Sequence, residues 1–546
     1  MQSSGVRKWA PLFVLSFALL IIILDTTILN VSLRTIINDL NTDIKSIQWV
    51  ITAYSLVLAA FTITGGRLGD LFGRKRMFVI GALIFAAGSF ITSISTSVGV
   101  MILGEAIIEG IGAALMMPAT ASLLVSNYQG RDRQIGFGIW GGVASAGAAL
   151  GPVFGGFLTT YYSWRWAFRI NLFVAAIVIL GSFIVHEARD TRHKPQLDFL
   201  GILLSSLGML LIVFGVIESS TYGWIYAKET FILGSLSFAF LGHYSVVLPS
   251  ILLGLGLIGL FALWQYYREY RLQRVPLVSL ALFQNNVFVR GALIIGLLSL
   301  AQVGMSFVLP VFFQSVLGLS ALETGVAMLP MSLTLLVVSI FSAYIVQFVT
   351  PKRLIQVAVA INALAFWVLS MGVSQTSAWA LTPGFILFGI GMGLIMSQAN
   401  NITLSAVPIT QAGEASGVNG TLRQLGASLG SAIMGSILLS TLATNLMTGV
   451  ITSPNIPEPL KPGIAQSMQT QTSNIEFGSS VTTAQNDMPS VLGAEITSIA
   501  HAATVEASRL TLLSGIIFMV LAFFLTLRLP NTKMLTASEQ KPASAH

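Results

Sequence analysis

The chain has no cysteine among its 546 residues, so it offers no disulfide, no thiolate metal site and no thiol nucleophile. Charge is scarce too. Only 9% of residues are Asp, Glu, Lys or Arg, while 54% are hydrophobic and the mean hydropathy is +0.83. That composition lies far outside the soluble globular range. No P-loop pattern occurs, which excludes an ATP-driven pump unless a separate subunit supplies the ATPase. His186-Glu187 lacks the second histidine of a zinc-binding helix. Gly-Leu-Gly-Leu-Ile-Gly at 254–259 fits a dinucleotide pattern but has no preceding strand, and reads as helix packing. No catalytic constellation converges, so an enzyme is not expected, nor is a cofactor or a metal. The net charge of +7 is scattered over short loops rather than gathered in a block, and nucleic acid is not an expected partner.

What is there is apolar and helix-length. Fourteen candidate spans cover about 9–31, 47–68, 77–96, 99–126, 135–160, 166–186, 198–218, 247–266, 291–317, 322–348, 354–373, 378–400, 415–443 and 508–528. They lack the ten-residue alternation of a barrel, so the expected fold class is an all-α polytopic membrane protein in a lipid bilayer. The first span is not a cleaved signal, because it carries Asp25 and leads directly into further spans. One set of loops holds Arg67, Arg74, Lys75 and Arg76, then Arg131 and Arg133, Arg189, Arg192 and Lys194, Arg268, Arg271 and Arg274, and Lys352 and Arg353. The opposite set carries only Arg34, Lys45, Arg165, Lys228 and Lys461 over much more chain. The basic set is therefore expected on the cytoplasmic side of the cell membrane, with both termini inside. Residues 220–246, with an apolar piece too short to cross, are expected to be interfacial or re-entrant. Residues 444–506, rich in Ser, Thr, Asn and Gln, are expected to form a long external loop.

The sequence repeats itself. Glu-Gly-Ile-Gly-Ala-Ala-Leu-Met-Met at 109–117 is echoed by Phe-Gly-Ile-Gly-Met-Gly-Leu-Ile-Met at 388–396, so that Gly391 repeats Gly112. Gly-Ala-Ala-Leu-Gly at 147–151 is echoed at the same spacing by Gly-Ala-Ser-Leu-Gly at 426–430. Arg-Lys-Arg-Met at 74–77 is loosely matched, at nearly that spacing, by Pro-Lys-Arg-Leu at 351–354. Three matches in order at nearly one spacing predict two related six-helix halves, residues 1–190 and 289–546, with two helices inserted over 191–288. Repeated halves around a midplane site are a transporter architecture.

Asp25 lies deep in the first span, within Leu-Ile-Ile-Ile-Leu-Asp-Thr-Thr-Ile-Leu-Asn-Val at 20–31. A carboxylate at that depth costs ~2.5–3.5 kcal/mol to insert. It is either a structural group bonded to Thr26, Thr27 or a neighbouring helix, or a proton or cation site. Glu105 and Glu109 in span 4 are four residues apart and share a helical face, unless Glu105 lies nearer the surface. Two carboxylates that close in a low dielectric resist ionising together, which makes them candidates for proton carriage or cation binding. Asn30 is grouped with these acids as a coupling or substrate residue. The repeat places Gly304 opposite Asp25, so the second half has no equivalent acid.

Gly65-Gly66-Arg67-Leu68-Gly69-Asp70-Leu71-Phe72-Gly73-Arg74-Lys75-Arg76 joins spans 2 and 3. Its glycines permit a tight turn and close helix approach. Asp70 stands where it can pair with a basic group or with a helix N-terminus of the other half. This stretch resembles the signature loop of the major facilitator superfamily, and the fourteen-span plan resembles its drug:proton antiporter branch. Leu24–Val31 is similar to that branch's first-helix signature, with Arg34 where a proline usually closes it. Gln48-Trp49 with Tyr54, Ser163-Trp164-Arg165-Trp166 and Phe313-Gln314 fit as well. Gly147, Gly151, Pro152, Gly155 and Gly156 resemble its antiporter motif, glycines spaced for helix packing beside a proline that bends the helix. The chain departs from the branch in span 4. The usual arginine there is Ala106, and Glu109 stands where a glutamine is common. Arg423 and Arg290 are the remaining candidates for a basic partner to Asp25.

The resemblance implies a gate loop at Gly66, Asp70, Gly73, Arg74, Lys75 and Arg76. It also implies a proton-coupled efflux transporter, acting as a monomer, whose substrates are hydrophobic cationic drugs or toxic compounds and whose energy comes from the proton gradient. Two alternatives stay open. One is an exporter of an endogenous lipid or secondary metabolite; the other is a non-transporting receptor or scaffold that keeps the fold.

Overall fold

A computed structural model describes residues 6–42, 44–187, 197–228, 231–233, 236–237, 243–346, 348–375, 377–464 and 490–530. The basic loop residues Arg189, Arg192 and Lys194, and both termini, lie outside the described residues. So do the side chains of Asn30, Arg34, Gln48, Arg131 and Pro152.

Six long helices form the first half: α1 Val6–Asp39, α2 Ile44–Phe72, α3 Arg74–Ser93, α4, α5 Gly130–Tyr161 and α6 Arg165–Gly181. Helix α4 starts as Val98–Met101, widens into a π-helix over Ile102–Glu109 and returns to α geometry over Gly110–Asn127. The inserted pair is α7 Phe199–Ile217 and α8 Val247–Tyr266. The second half holds α9 Asn286–Ser315, α10 Ala321–Ile345, α11 Pro351–Gly372, α12 Thr382–Ser405, α13 Ala412–Thr452 and α14 Ser490–Leu527. Thirteen of the described helices are long and apolar enough to cross a membrane. The fourteenth, α5, has the length at 32 residues, and nine glycines dilute its hydropathy.

Local chemistry sets the helix starts. Asp198 caps α7 by accepting from Gly201 N–H, and Asn285 caps α9 by accepting from Val287 and Phe288. Ser320 and Glu323 close a capping box on α10, and Pro351 opens α11 at the position where a missing N–H costs nothing. Asp198 also accepts from Trp264 Nε1 and Gln265 Nε2 at 2.8 Å each, which ties α7 to α8. The glycine-rich stretch at 254–259 belongs to that packing: a Cβ on Gly254 would lie 2.8 Å from the Gly208 carbonyl.

The repeat is visible as paired contacts. Gly147 and Gly155 of α5 lie against Leu20, Ile23 and Ile28 of α1, and Gly151 against Thr27. Their counterparts Gly426 and Gly430 of α13 lie against the carbonyls of Gly296 and Leu300 in α9. Two cores follow. One spans 294–529; the other is built on 12–185 and continues into Leu404, Val407, Ala412, Ala415 and Val418 at the ends of α12 and α13. The halves therefore share buried apolar surface at the end that carries the arginine-rich loops.

One expectation is corrected. Residues 444–506 are not a loop throughout, because α13 runs on to Thr452 and α14 begins at Ser490. Leu442, Leu446 and Val450 at helical spacing pack in one core with Ile496, Ala500 and Ala503, so the two helices extend as an antiparallel pair. The Ser, Thr and Asn residues between these apolar positions had masked them. In 220–246 the described residues contain a small hairpin, Ile232–Leu233 paired with Leu236–Ser237, and a bridge between Tyr226 and Tyr244. Phe231 anchors the hairpin against Trp49, Phe214 and Tyr222.

Candidate functional site: a buried acid cluster and a latch between halves

Asp25 on α1 meets Glu105 and Glu109 on α4, with carboxylate oxygens of all three within 4.8 Å of one another. All three are buried, Glu105 at 1% exposure, so the surface alternative for Glu105 is excluded. The π-helical turns carry both glutamates and present them to α1 and α3. Such turns are frequent at functional positions because the widened ladder re-aims side chains.

Two residues not anticipated from sequence complete the cluster. Asn171 on α6 donates through Nδ2 to Asp25 Oδ1 at 2.8 Å and to Glu109 Oε1 at 3.2 Å. Ser89 on α3 donates to Glu109 Oε1 at 2.6 Å. Glu105 brings a carboxylate oxygen within 4.8 Å of both Asp25 and Glu109. Asp25 Oδ2, Glu105 Oε2, Glu109 Oε2 and the Tyr54 hydroxyl are buried without a partner. Among the described residues no Lys or Arg is in ion-pair contact with the three acids. Neither suggested arginine reaches them: Arg290 donates to the Arg528 carbonyl, and Arg423 donates to Met117 Sδ at 2.6 Å.

Asp25 is held from behind by the α5 glycines. Thr27 lies directly over Gly151, where any side chain would collide, and a Cβ on Gly155 would sit 3.0 Å from Ile28. These glycines therefore let the acid-bearing turn of α1 approach α5 closely, with both side chains and the Ile28 Cα at the contact.

The second constellation joins the halves. Asp70 accepts from Arg74 Nε at 2.9 Å and Nη2 at 2.8 Å, and from the backbone N–H groups of Gly413 (3.1 Å) and Glu414 (2.7 Å). It thus caps the first turn of α13, where a negative charge meets the positive end of the helix dipole. Arg74 also donates to Ser126 of α4 at 3.0 Å. Arg67 pairs with Glu414 at 3.3 Å, and Glu414 accepts from Ser279 N–H. Gly66 is required here, because a Cβ would run into the Gly413 carbonyl and lie 3.1 Å from Gly417 Cα. Gly73 adopts φ +109°, a region that favours glycine, beside the Glu187 carboxylate. Lys75 lies over the Phe183 ring at 5.9 Å, and Arg76 is exposed. Glu414 was not singled out in the sequence, because its partner Arg67 lies in the other half.

At the opposite end Arg165 pairs with Asp39 and donates to the Ser95 carbonyl at 2.8 Å. The Arg165 hydrogen bond holds the Asp39 carboxyl below its ordinary value of 3.8. Between the halves lies a small cavity of about 20 Å³, room for roughly one water, lined by residues of α2, α4, α5, α12 and α13. Its lining includes Arg423 and none of the three acids.

Residues 15–431 match the model of the Major Facilitator Superfamily. The chain is 30% identical over 441 residues to the tetracenomycin C resistance and export protein of Streptomyces glaucescens, covering 79% of this chain and 77% of that one. It is 28% identical over 442 residues to the multidrug efflux pump LfrA of Mycolicibacterium smegmatis, covering 81% and 82%. The human organic anion transporter MFSD10 shares the fold at TM-score 0.54 and 14% identity, over 87% of this chain and 98% of that one. With two helix-bundle halves, an inserted pair and this family match, the chain belongs to the Major Facilitator Superfamily and is a multi-pass transporter of small molecules, not an enzyme.

Proposed function

We propose that the protein exports hydrophobic small molecules, antibiotics among them, from the cytoplasm in exchange for protons. The observation that carries this reading is the cluster of Asp25, Glu105 and Glu109, within 4.8 Å of one another and buried in one half. Three like charges cannot ionise together in a low dielectric, so the cluster stores at least one proton and changes its charge when the surroundings change. It lies close to the end opposite the arginine-rich loops. Asn171 is six residues into α6, ~9 Å at the helical rise. With those loops in the cytoplasm and both termini on the same side, that end faces outward, where protons enter. The Asp70–Gly413 latch closes the cytoplasmic end; its release, with the halves rocking about the central cavity, opens the cavity inward.

The energetics are sufficient. One charge moving down 100 mV supplies ~2.3 kcal/mol, and a pH unit adds about 1.4 kcal/mol per proton. One proton then sustains a gradient of up to roughly 500-fold. Relatives named for efflux and for export of one antibiotic support the direction of transport. The tetracenomycin relative also favours a second reading, export of a single metabolite by the same machinery. Lipophilic cations are the substrates expected if the acids themselves contact cargo. If the acids hold only protons, the cargo's charge is set by the cavity.

The test is efflux from whole cells or inverted membranes energised by a pH gradient, with Asp25→Asn and Glu109→Gln beside the parent. Loss of gradient-driven efflux in both is expected. Pumping at the parental rate by both variants, or efflux that survives a protonophore, overturns the reading.

A further inference from the structure

Arg423, in the first third of α13, lines the cavity between the halves together with Met117 and Pro118 of α4 and Trp140 of α5. A guanidinium inside a membrane domain is costly and is ordinarily paired with a carboxylate. Here its hydrogen-bond acceptor is a thioether, Met117 Sδ, a weak one, and no acid among the described residues forms an ion pair with it. Among the described residues no other hydrogen bond of its guanidinium is found, and Arg423 lines the cavity.

Two further groups in the same wall are unsatisfied. Trp140 is 4% exposed, and its indole N–H has no acceptor. Asn419, 6% exposed, gives Nδ2 to Asn400 Oδ1 at 3.0 Å and leaves its own Oδ1 without a donor. Buried donors without acceptors are rare in folded proteins, and several facing one cavity mark what its occupant supplies. The donors outnumber the acceptor, and the only charged group lining the cavity is positive. The rest of that wall (Met117, Pro118, Ala121 and the Trp140 ring) is apolar and includes one aromatic face.

We infer that the cavity between the halves, widened when the Asp70–Gly413 latch releases, binds organic anions: aromatic molecules bearing a carboxylate, phenolate or enolate oxygen, held by Arg423 and the Trp140 N–H. A guanidinium grips such an oxygen pair in a bidentate fork, which an ammonium does not reproduce. A hydroxyl or amine on the same molecule satisfies Asn419 Oδ1. A lipophilic cation entering this cavity meets a fixed positive charge with no carboxylate beside it. The acids lie elsewhere, in the first half, so protons and cargo occupy separate sites and interact through the rocking of the halves. This assignment deepens the export reading and depends on it only for the direction in which the anion moves.

The test is equilibrium binding, with no gradient, to the full chain in lipid nanodiscs. The probes are two xanthene dyes of similar shape, anionic fluorescein and cationic rhodamine 6G. The parent is expected to bind fluorescein. Arg423→Gln weakens fluorescein relative to rhodamine 6G by roughly tenfold or more, the loss typical of a charge-assisted hydrogen bond. Arg423→Lys loses less, and Trp140→Phe, which keeps the ring and removes the donor, loses about threefold. A parent that does not bind fluorescein overturns the inference. So does an Arg423→Gln protein, folded by its thermal midpoint, that keeps the parental ratio. If Arg423→Gln does not fold, an unchanged ratio in both Arg423→Lys and Trp140→Phe overturns it instead. Binding that obeys these expectations in a protein without proton-driven efflux counts against the export reading and leaves the anion site standing.

Discussion

In the first half the turn around Asp25 faces Glu105, Glu109 and Asn171; in the second, the same place in the repeat is filled with hydrocarbon. The counterpart of Asp25 is Gly304, which lies against Met434. The counterparts of Glu105 and Glu109 are Gly384 and Phe388. Gly384 packs on Leu369, and Phe388 stacks edge-on against Phe366 at 5.7 Å. Yet the scaffold is shared, since Gly151 on Thr27 is matched by Gly430 on the Leu300 carbonyl. Packing needs both copies, because each half must close its own bundle. An acid cluster needs one, because every buried carboxylate costs insertion energy and a second set would add cost without adding a second cycle. The second half contributes differently: the α13 N-terminus receives Asp70, and Arg423 enters the cavity.

The largest expected effect comes from erasing the difference. Asp25→Asn should cut gradient-driven export by about 100-fold, ~2.7 kcal/mol of lost coupling, while substrate binding without a gradient stays near the parent. Moving the acid across should fail. Gly304→Asp in that background is not expected to restore export, since the new carboxylate meets Met434 in an apolar core. The protein should also lose about 3 kcal/mol of stability, read as a fall in thermal midpoint. Recovery of export in the double variant would show that the halves are interchangeable. Asp70→Asn, which removes the negative charge that faces Arg74 and the α13 N-terminus, should slow transport roughly tenfold and make cysteines introduced at the arginine-rich end more reactive.

Asn171→Leu keeps the acids and removes their shared donor. We expect export to fall about fivefold and its pH profile to move, because a hydrogen bond to the carboxylates is lost. An unmoved profile would reduce Asn171 to packing. The smallest effect belongs to Asp39→Asn at the outer end. Arg165 holds the Asp39 carboxyl below 3.8, so its contribution is present above the ordinary value and is lost only as pH falls through the lowered one. Between about pH 5 and 8 the variant's export profile should overlay the parent's. Its stability should fall by no more than about 0.5 kcal/mol, as for a half-exposed ion pair.

The sequence made the acids legible because a carboxylate inside an apolar helix stands out against everything around it. It also exposed the repeat, since glycine pairs recur at a fixed offset. Asn171 and Ser89 were not legible: neutral polar residues are common in membrane helices, and only geometry tells a hydrogen-bond partner from filler. Asp70 was anticipated as facing a helix N-terminus, but the helix receiving it starts at a polar Gln411–Glu414 stretch that hydropathy does not mark. The extension of α13 and α14 was hidden for a related reason. Leu442, Leu446 and Val450 alternate with Thr and Asn, and average hydropathy erases a helical stripe that periodicity retains. Arg423 was visible as a cation in a span, but its distance from Asp25 was not.

The most direct test of the division of labour between the halves is substrate-coupled proton flux in proteoliposomes. The parent is compared with the triple variant Asp25→Asn, Glu105→Gln, Glu109→Gln, both checked for substrate binding. The parent should dissipate an imposed pH gradient when substrate is added and accumulate that substrate against its own gradient, while the variant binds substrate and does neither. A triple variant that still exchanges protons for substrate would place the coupling outside the first-half cluster and contradict the account.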